Sequence, residues 1–258
     1  MRSAMRMALA ASAAIFAIGA AQAQDLNLKV GIEGAYPPFN NLTADGQLVG
    51  FDVDIANALC AEIKAKCEFI VQDWDGMIPA LQAGKFDVII ASMSITAERK
   101  EKVDFTNKYY NTPPGIAVPK DSDIKGVTKE DLAGKSLGAG TSTVHYNYAS
   151  VTYTDSDIKT YPSSQEFFLD LANGRLDAIT DDVTVLESWV SSPDGACCKI
   201  VGTIKQIPEI HGEGAGIALR KGETELKDKF NAAIDAIRAN GKYKEINDKY
   251  FKTDIYGG

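Results

Sequence analysis

The chain has 258 residues, 45% hydrophobic and 24% charged, the composition of a water-soluble globular protein with enough chain for a sizeable core in one or two domains. Its formal net charge of −8 argues against nucleic-acid binding, which favours clustered Lys and Arg. Small ligands stay open, because local charge in a cleft outweighs net charge.

Residues 1–23 read as a signal peptide. Arg2 and Arg6 give a positive start, and Met7 to Ala20 is an apolar stretch too short for a membrane span. Ala21-Gln22-Ala23 is a small-x-small cleavage site, so an exported chain is expected to begin at Gln24. Leu26 to Ile32 alternates as a strand, and Glu33 to Phe39 follows as a loop. Asp45-Gly46 marks a hairpin. Phe51 to Ile63 has apolar residues at helical spacing, with Asp52 and Asp54 near its start. Cys67 to Val71 reads as a strand and Trp74 to Gln82 as a short helix stopped by Gly84.

Phe86 to Ile90 is a short apolar run of strand type. It turns abruptly polar at Ser92 and Ser94 and reaches Thr96, an N-cap, and Arg99. Ligands of open α/β sheets bind at the carboxyl ends of strands, so Arg99 is expected to clamp a carboxylate there. Pro113-Pro114-Gly115 marks a crossing between two domains. Ile116 to Pro119 is a strand, Thr128 to Asp131 a capping box, and Lys135 to Ala139 a strand. Gly140-Thr141-Ser142-Thr143 then opens a helical segment. Ile158 to Tyr161 is a strand, and Ser163 to Glu166 is expected to cap a helix over Phe167 to Asn173. Leu176 to Thr180 is a strand running into Asp181-Asp182. A Gly-rich return (Ile207 to Gly216) leads to the strand Ile217 to Leu219 and two amphipathic helices broken near Asn240-Gly241. The alternation indicates an α/β protein with mostly parallel sheets.

One internal echo stands out. Leu81 to Ser92 aligns without gaps on Leu171 to Asp182, each a helix, a Gly stop, a basic residue, an Asp and a strand. The alignment predicts two similar lobes with Ser92 and Asp182 at equivalent strand ends. The cysteines form two pairs. Cys60 ends a helical pattern and Cys67 opens a strand, which fits a short-loop disulfide in an exported chain. Adjacent Cys197 and Cys198 can join only through a strained ring, so free thiols and a labile disulfide are both open. No metal site is expected, because no His or further Cys stands at ligand spacing. His145 is expected at the surface, and His211 has no assigned role.

Seven stretches in order carry a family resemblance: EGAYPPFN (33–40), LVGFDVDIANALC (48–60), WDGMIPAL (74–81), FDVIIASMSITAER (86–99), LAGKSLGAGTST (132–143), NGRLDAITDD (173–182) and NGKYKEINDKYF (240–251). Over essentially the whole mature chain the sequence resembles the periplasmic polar amino-acid-binding proteins of ABC importers (solute-binding protein family 3). That group includes the lysine/arginine/ornithine-, histidine- and opine-binding proteins. The resemblance implies the two-lobed type II periplasmic-binding-protein fold, each lobe a mixed, mostly parallel sheet flanked by helices. It implies a two-strand hinge, with lobe one at 24–112 and 209–258 and lobe two at 113–208. It also implies that Cys60–Cys67 is the family's disulfide, a periplasmic location, an inner-membrane ABC permease as partner, a monomer, no cofactor and no catalysis.

By the same resemblance, Arg99 would hold the ligand α-carboxylate together with the backbone N–H groups of Ser142 and Thr143. Asp182 would take the α-ammonium, with Ser92 and Ser94 adding hydrogen bonds. Tyr36 and Trp74 would sandwich the side chain, and Glu33 would meet a distal cation. Trp74 and Ala91 depart from the lysine/arginine/ornithine binders, and the EGAY and WDGM stretches look like the opine branch. Asp182 suits a free α-ammonium, so a basic L-amino acid (arginine, lysine or ornithine, then histidine) leads. Opines, glutamine and a dehydratase-like enzyme on the same scaffold are the alternatives.

Overall fold

The computed structural model describes residues 26–257, and the expected signal peptide lies outside the described residues. The chain opens with β1 (Leu26–Ile32) and a small antiparallel sheet of β2 (Ala35–Tyr36), β3 (Asn40–Leu42) and β4 (Leu48–Val49). There follow α1 (Phe51–Glu62), β5 (Ala65–Val71), a 3-10 turn over Trp74–Gly76 leading into α2 (Met77–Gln82), β6 (Val88–Ile89), α3 (Ala97–Lys102) and β7 (Asp104–Tyr110). Next come β8 (Pro114–Pro119), α4 (Lys129–Leu132), β9 (Ser136–Gly140), α5 (Val144–Thr152), β10 (Asp157–Tyr161), α6 (Ser164–Ala172), β11 (Ala178–Asp182), α7 (Val183–Val190) and β12 (Cys198–Thr203). The chain ends with α8 (Pro208–His211), β13 (Ala215–Leu219), α9 (Thr224–Ala239) and α10 (Lys242–Tyr250).

Two five-stranded sheets share one design. The first runs β5-β1-β6-β13-β7 and the second β10-β9-β11-β8-β12. In each, the first three strands are parallel, the fourth is antiparallel to its neighbours, and the fifth follows the direction of the first three. The chain passes between the sheets twice, over 111–113 and 204–214. Those two passages are tied by a reciprocal amide pair: Asn111 Nδ2 donates to Gln206 Oε1 at 3.1 Å, and Gln206 Nε2 donates to Asn111 Oδ1 at 2.8 Å.

The echo in the sequence is a physical repeat. β6 and β11 hold the same central place in their sheets. Asp87 Oδ2 accepts from Lys29 N at 2.9 Å, and Asp177 Oδ2 accepts from Ser136 N at 2.7 Å. Each aspartate thereby satisfies a backbone donor of the neighbouring strand. A Cβ at Gly31 would meet the Phe86 ring at 2.6 Å, and one at Gly138 would meet Leu176 at 2.6 Å. Phe86 and Leu176 are themselves matched positions, so each sheet gets its central strand by the same close approach.

Three expectations need adjustment. The strand foreseen over Phe86 to Ile90 is regular only at Val88–Ile89, because the chain breaks after two paired residues into Ser92, held at φ 57°. The helix foreseen over Trp74 to Gln82 begins as a 3-10 turn. Ser163 precedes α6 but gives no hydrogen bond to its backbone, and its hydroxyl turns to Glu166 Oε1 at 3.4 Å. The Cys60–Cys67 disulfide is formed and fastens the end of α1 to β5. Cys197 and Cys198 are free thiols, one exposed and one buried.

A methyl group at Gly31 has no room beside the buried Phe86 ring. Overpacking of this kind costs about 1–3 kcal/mol. Gly31→Ala is expected to lower the denaturation midpoint accordingly in a urea titration, and an unchanged midpoint would contradict the close approach of β1 to β6.

Candidate functional site

The carboxyl ends of the two sheets face each other across a cleft with about 560 Å³ of atom-free space. One wall is built by Glu33 and Tyr36 after β1, Trp74 after β5, Ser92 and Ser94 after β6, and Arg99 on α3. The other wall carries Thr143 at the start of α5 and Asp181 and Asp182 at the end of β11. All the residues singled out in the sequence line this cleft except Ser142, which stands exposed at its rim.

Arg99 owes its position to a local signal. Thr96 caps α3, its hydroxyl accepting from Arg99 N at 3.2 Å, and this turns the arginine inward. The side chain is only 9% exposed. Nη1 donates to the Ser94 carbonyl at 3.0 Å, Nη2 donates to the Ser142 carbonyl at 3.1 Å, and the guanidinium lies 5.2 Å from the centre of the Trp74 ring. Burial lowers its pKa to about 10, so it remains a cation at neutral pH. It makes no ion pair with a carboxylate among the described residues. A desolvated cation held on two carbonyls, with donors to spare, is an anion site.

The same end of the cleft offers more donors. Thr143 caps α5 with its hydroxyl, which accepts from Tyr146 N at 3.1 Å and donates to Gly140 O at 2.7 Å. That hydroxyl is committed within the fold. The backbone N–H groups of Ser142 and Thr143 have no acceptor among the described residues, and they stand at a helix N-terminus, where anions are favoured.

The remaining groups are acidic. Asp181 is 3% exposed and accepts from the Tyr36 hydroxyl at 2.6 Å and from Asp182 N at 2.8 Å. The Tyr36 and Tyr110 hydroxyls each lie 3.4 Å from Asp182 Oδ2. Glu33 makes no hydrogen bond or ion pair among the described residues. Burial, and then the charge of Asp181, pushes Glu33 up to about 8. Burial lifts Asp181 to about 7. It lifts Asp182, with the Asp181 charge adding to it, to about 8. No Lys or Arg pairs with these acids among the described residues.

Two titratable residues of the cleft escaped the sequence reading. His145, expected at the surface, is 7% exposed, with Nε2 3.3 Å from Asp181 Oδ1. It sits in the first turn of α5, which packs over the end of β11. Burial, with His211 and Arg99 nearby, lowers its pKa to about 3 and keeps it neutral. Asp181 is inside the cleft beside Asp182. The doubled acid was visible in the sequence, but the register of the internal echo with Ser92 singled out Asp182 alone. Ser142 differs in another way: its carbonyl accepts from Arg99 and, at 3.4 Å, from Trp74 Nε1.

Several contacts join the two walls. Besides Arg99 and Trp74 to Ser142 and Tyr36 to Asp181, the Ser164 hydroxyl donates to Ala35 O at 3.3 Å. The lobes are therefore drawn together over the cleft.

The model of the bacterial extracellular solute-binding proteins, family 3, matches residues 28–253. The chain is 49% identical over 238 residues to the L-arginine-binding protein of Pseudomonas aeruginosa, covering 91% of this chain and 92% of that protein. An ancestral arginine-binding protein bound to arginine superposes with a TM-score of 0.80 at 39% identity, over 87% of this chain and 98% of the other. An ancestral arginine-binding protein bound to glutamine superposes with a TM-score of 0.81 at 38% identity, over 89% of this chain and all of the other. The architecture is the expected two-lobed type II periplasmic-binding-protein fold.

The raised acids have a consequence for stability. Unfolded Asp and Glu titrate near 4, so between pH 7 and 8.5 the folded chain binds protons on Glu33, Asp181 and Asp182 that the unfolded chain does not. Stability then falls as pH rises. His145 is held low, so its opposing contribution belongs to the region below its ordinary value of about 6.5. The thermal midpoint of the ligand-free protein is expected to drop from pH 7 to 8.5, and less so in Glu33→Gln. A flat profile in the wild type would contradict the buried, uncompensated acids.

Proposed function

The chain belongs to the bacterial extracellular solute-binding proteins, family 3, and from that membership we propose that it is the solute-binding component of an ABC amino-acid importer that closes on a basic L-amino acid. Arginine leads, followed by lysine and ornithine. The observation that carries this reading is the charge layout of the cleft. One end holds an unpaired buried cation and two free backbone N–H groups; the remainder holds three carboxyls with no cation. A zwitterion with a cationic side chain supplies one anion and two cations to groups that lack them.

The roles follow from donor and acceptor counts. Arg99 and the Ser142 and Thr143 N–H groups take the α-carboxylate. Asp182, with Ser92 and Ser94, takes the α-ammonium. Glu33 takes the distal cation, and Tyr36 and Trp74 flank the stem between. Arginine suits this arrangement, because a guanidinium stacks on an aromatic face and pairs bidentately with a carboxylate. Burying these charges is tolerable because each then has its partner.

Closure is a movement of lobe one (24–112 and 209–258) against lobe two (113–208), about the passages joined by Asn111 and Gln206. The protein acts in the periplasm after cleavage behind Ala23, as a monomer that presents its ligand to an inner-membrane permease. No chemistry on the ligand is required: the acids are placed to pair with charges, and the three reported relatives are binding proteins by name.

Calorimetry with arginine, lysine, ornithine, histidine, glutamine and an opine tests the reading. Arginine is expected to bind with the highest affinity and to be recovered unchanged. Tighter binding of glutamine or an opine would overturn the ligand class, and a chemically altered product would overturn the binding-only reading. Glu33→Gln should cost the cationic ligands about 1.5–3 kcal/mol, the value of a hydrogen bond to a charged group, and leave glutamine nearly unaffected. Arg99→Ala should weaken every amino acid by about 3–5 kcal/mol, as when one partner of a buried pair is removed.

A further inference from the structure

Beneath the cleft lies a fourth acid that does not itself line it. Asp52, in the first turn of α1, is fully buried and pairs with no Lys or Arg among the described residues. Three neutral donors hold it. Asn40 Nδ2 donates to Oδ2 at 2.8 Å, the Ser92 hydroxyl donates to Oδ2 at 2.9 Å, and the Tyr109 hydroxyl donates to Oδ1 at 2.8 Å. The Tyr109 oxygen in turn accepts from Ser92 N at 2.9 Å. Ser92 is thus pinned at both of its donors, and its backbone sits at φ 57°, a region non-glycine residues rarely adopt.

Burial raises Asp52 to about 6 against the lowering effect of its three donors, so it is ionised at neutral pH. An ionised carboxylate only accepts, and the proton of the Ser92 hydroxyl points down to it. The Ser92 N–H is likewise turned away, to Tyr109. What remains for the cleft is lone pairs alone, on the hydroxyl and on the carbonyl. We propose that Asp52 is a positioning residue that makes Ser92 an acceptor-only contact, and so fixes the end of the cleft that receives the ligand's ammonium group. Ser92 can then serve an ammonium and cannot serve a carboxylate. The arrangement also extends to the other ligand-facing point of lobe one. Asn40 Oδ1 accepts from Gly34 N at 2.8 Å, next to Glu33, so one buried acid braces both.

The proposal rests on the amino-acid reading of the cleft, and its test separates the two. Affinities for L-arginine and for 5-guanidinopentanoate, which is arginine without its α-amino group, are measured on the full chain. The wild type should prefer arginine strongly. Asp52→Asn and Ser92→Ala should each reduce that preference at least tenfold, and the double variant should lose little more than either single one, because one acts through the other. Equal weakening of both ligands in Asp52→Asn would mean a structural role only, and additive losses would mean that Asp52 acts by its charge and not through Ser92. Either overturns the proposal. Should Asp52→Asn not unfold cooperatively, Tyr109→Phe replaces it: freeing the Ser92 N–H should reduce the preference in the same non-additive way, and an unchanged preference overturns the proposal. A wild type that binds neither compound overturns the amino-acid reading itself, and this inference with it.

Discussion

The structure depends on a separation of charge that the protein does not neutralise by itself. Arg99 is buried on one side of the cleft, and Glu33, Asp181 and Asp182 line the same space. They do not pair. Arg99 is anchored by the carbonyls of Ser94 and Ser142, which occupy donors without cancelling its charge. Asp181 is anchored by a tyrosine hydroxyl and a backbone N–H. Had the cation met an acid, the cleft would be a buried salt bridge and would have little use for a ligand. Carbonyls and hydroxyls fix the charged groups in place and leave them available.

The fold makes such a layout easy to build. Two sheets of one design present equivalent strand ends, and β6 and β11 bring Ser92 and Asp182 to matching places. The first sheet delivers a serine whose hydroxyl and backbone donors are consumed below, and the second delivers carboxyls. Identical backbone joints, with Asp87 and Asp177 satisfying neighbouring strands, let the two ends diverge chemically without disturbing their position. Contacts made by Tyr36, Trp74, Arg99 and Ser164 across the cleft then couple site formation to lobe approach.

Much of this was legible in the sequence because it is carried by local signals. The Thr96 cap predicts where Arg99 turns, the apolar run marks β6, and the internal echo announces the second lobe. The places of Glu33, Tyr36 and Trp74 came from the family resemblance, and all three line the cleft. What was not legible depends on packing between elements. His145 is buried because the first turn of α5 lies over β11, a contact that helix periodicity does not encode. Asp181 reaches the cleft beside Asp182 at the end of β11, where the register with Ser92 pointed to Asp182 alone. The polarity of Ser92 needed Asp52 and Tyr109, which lie 40 and 17 residues away along the chain.

Under the proposed function, the raised acids would make a neutral side chain the poorer occupant. A zwitterion such as glutamine brings one positive and one negative charge. Arg99 would take the negative one and a single acid of the cleft would take the positive one. Glu33 then faces an uncharged group and must either keep its proton or be ionised in a desolvated cleft without a counter-charge. A basic amino acid brings a second cation, and that cation lets Glu33 release its proton into an ion pair. On that reading, selectivity for a cationic ligand is linked to proton release and would grow as pH rises toward the elevated value of the free acid. The same burial that makes the empty cleft costly at alkaline pH is what rewards the ligand able to compensate it.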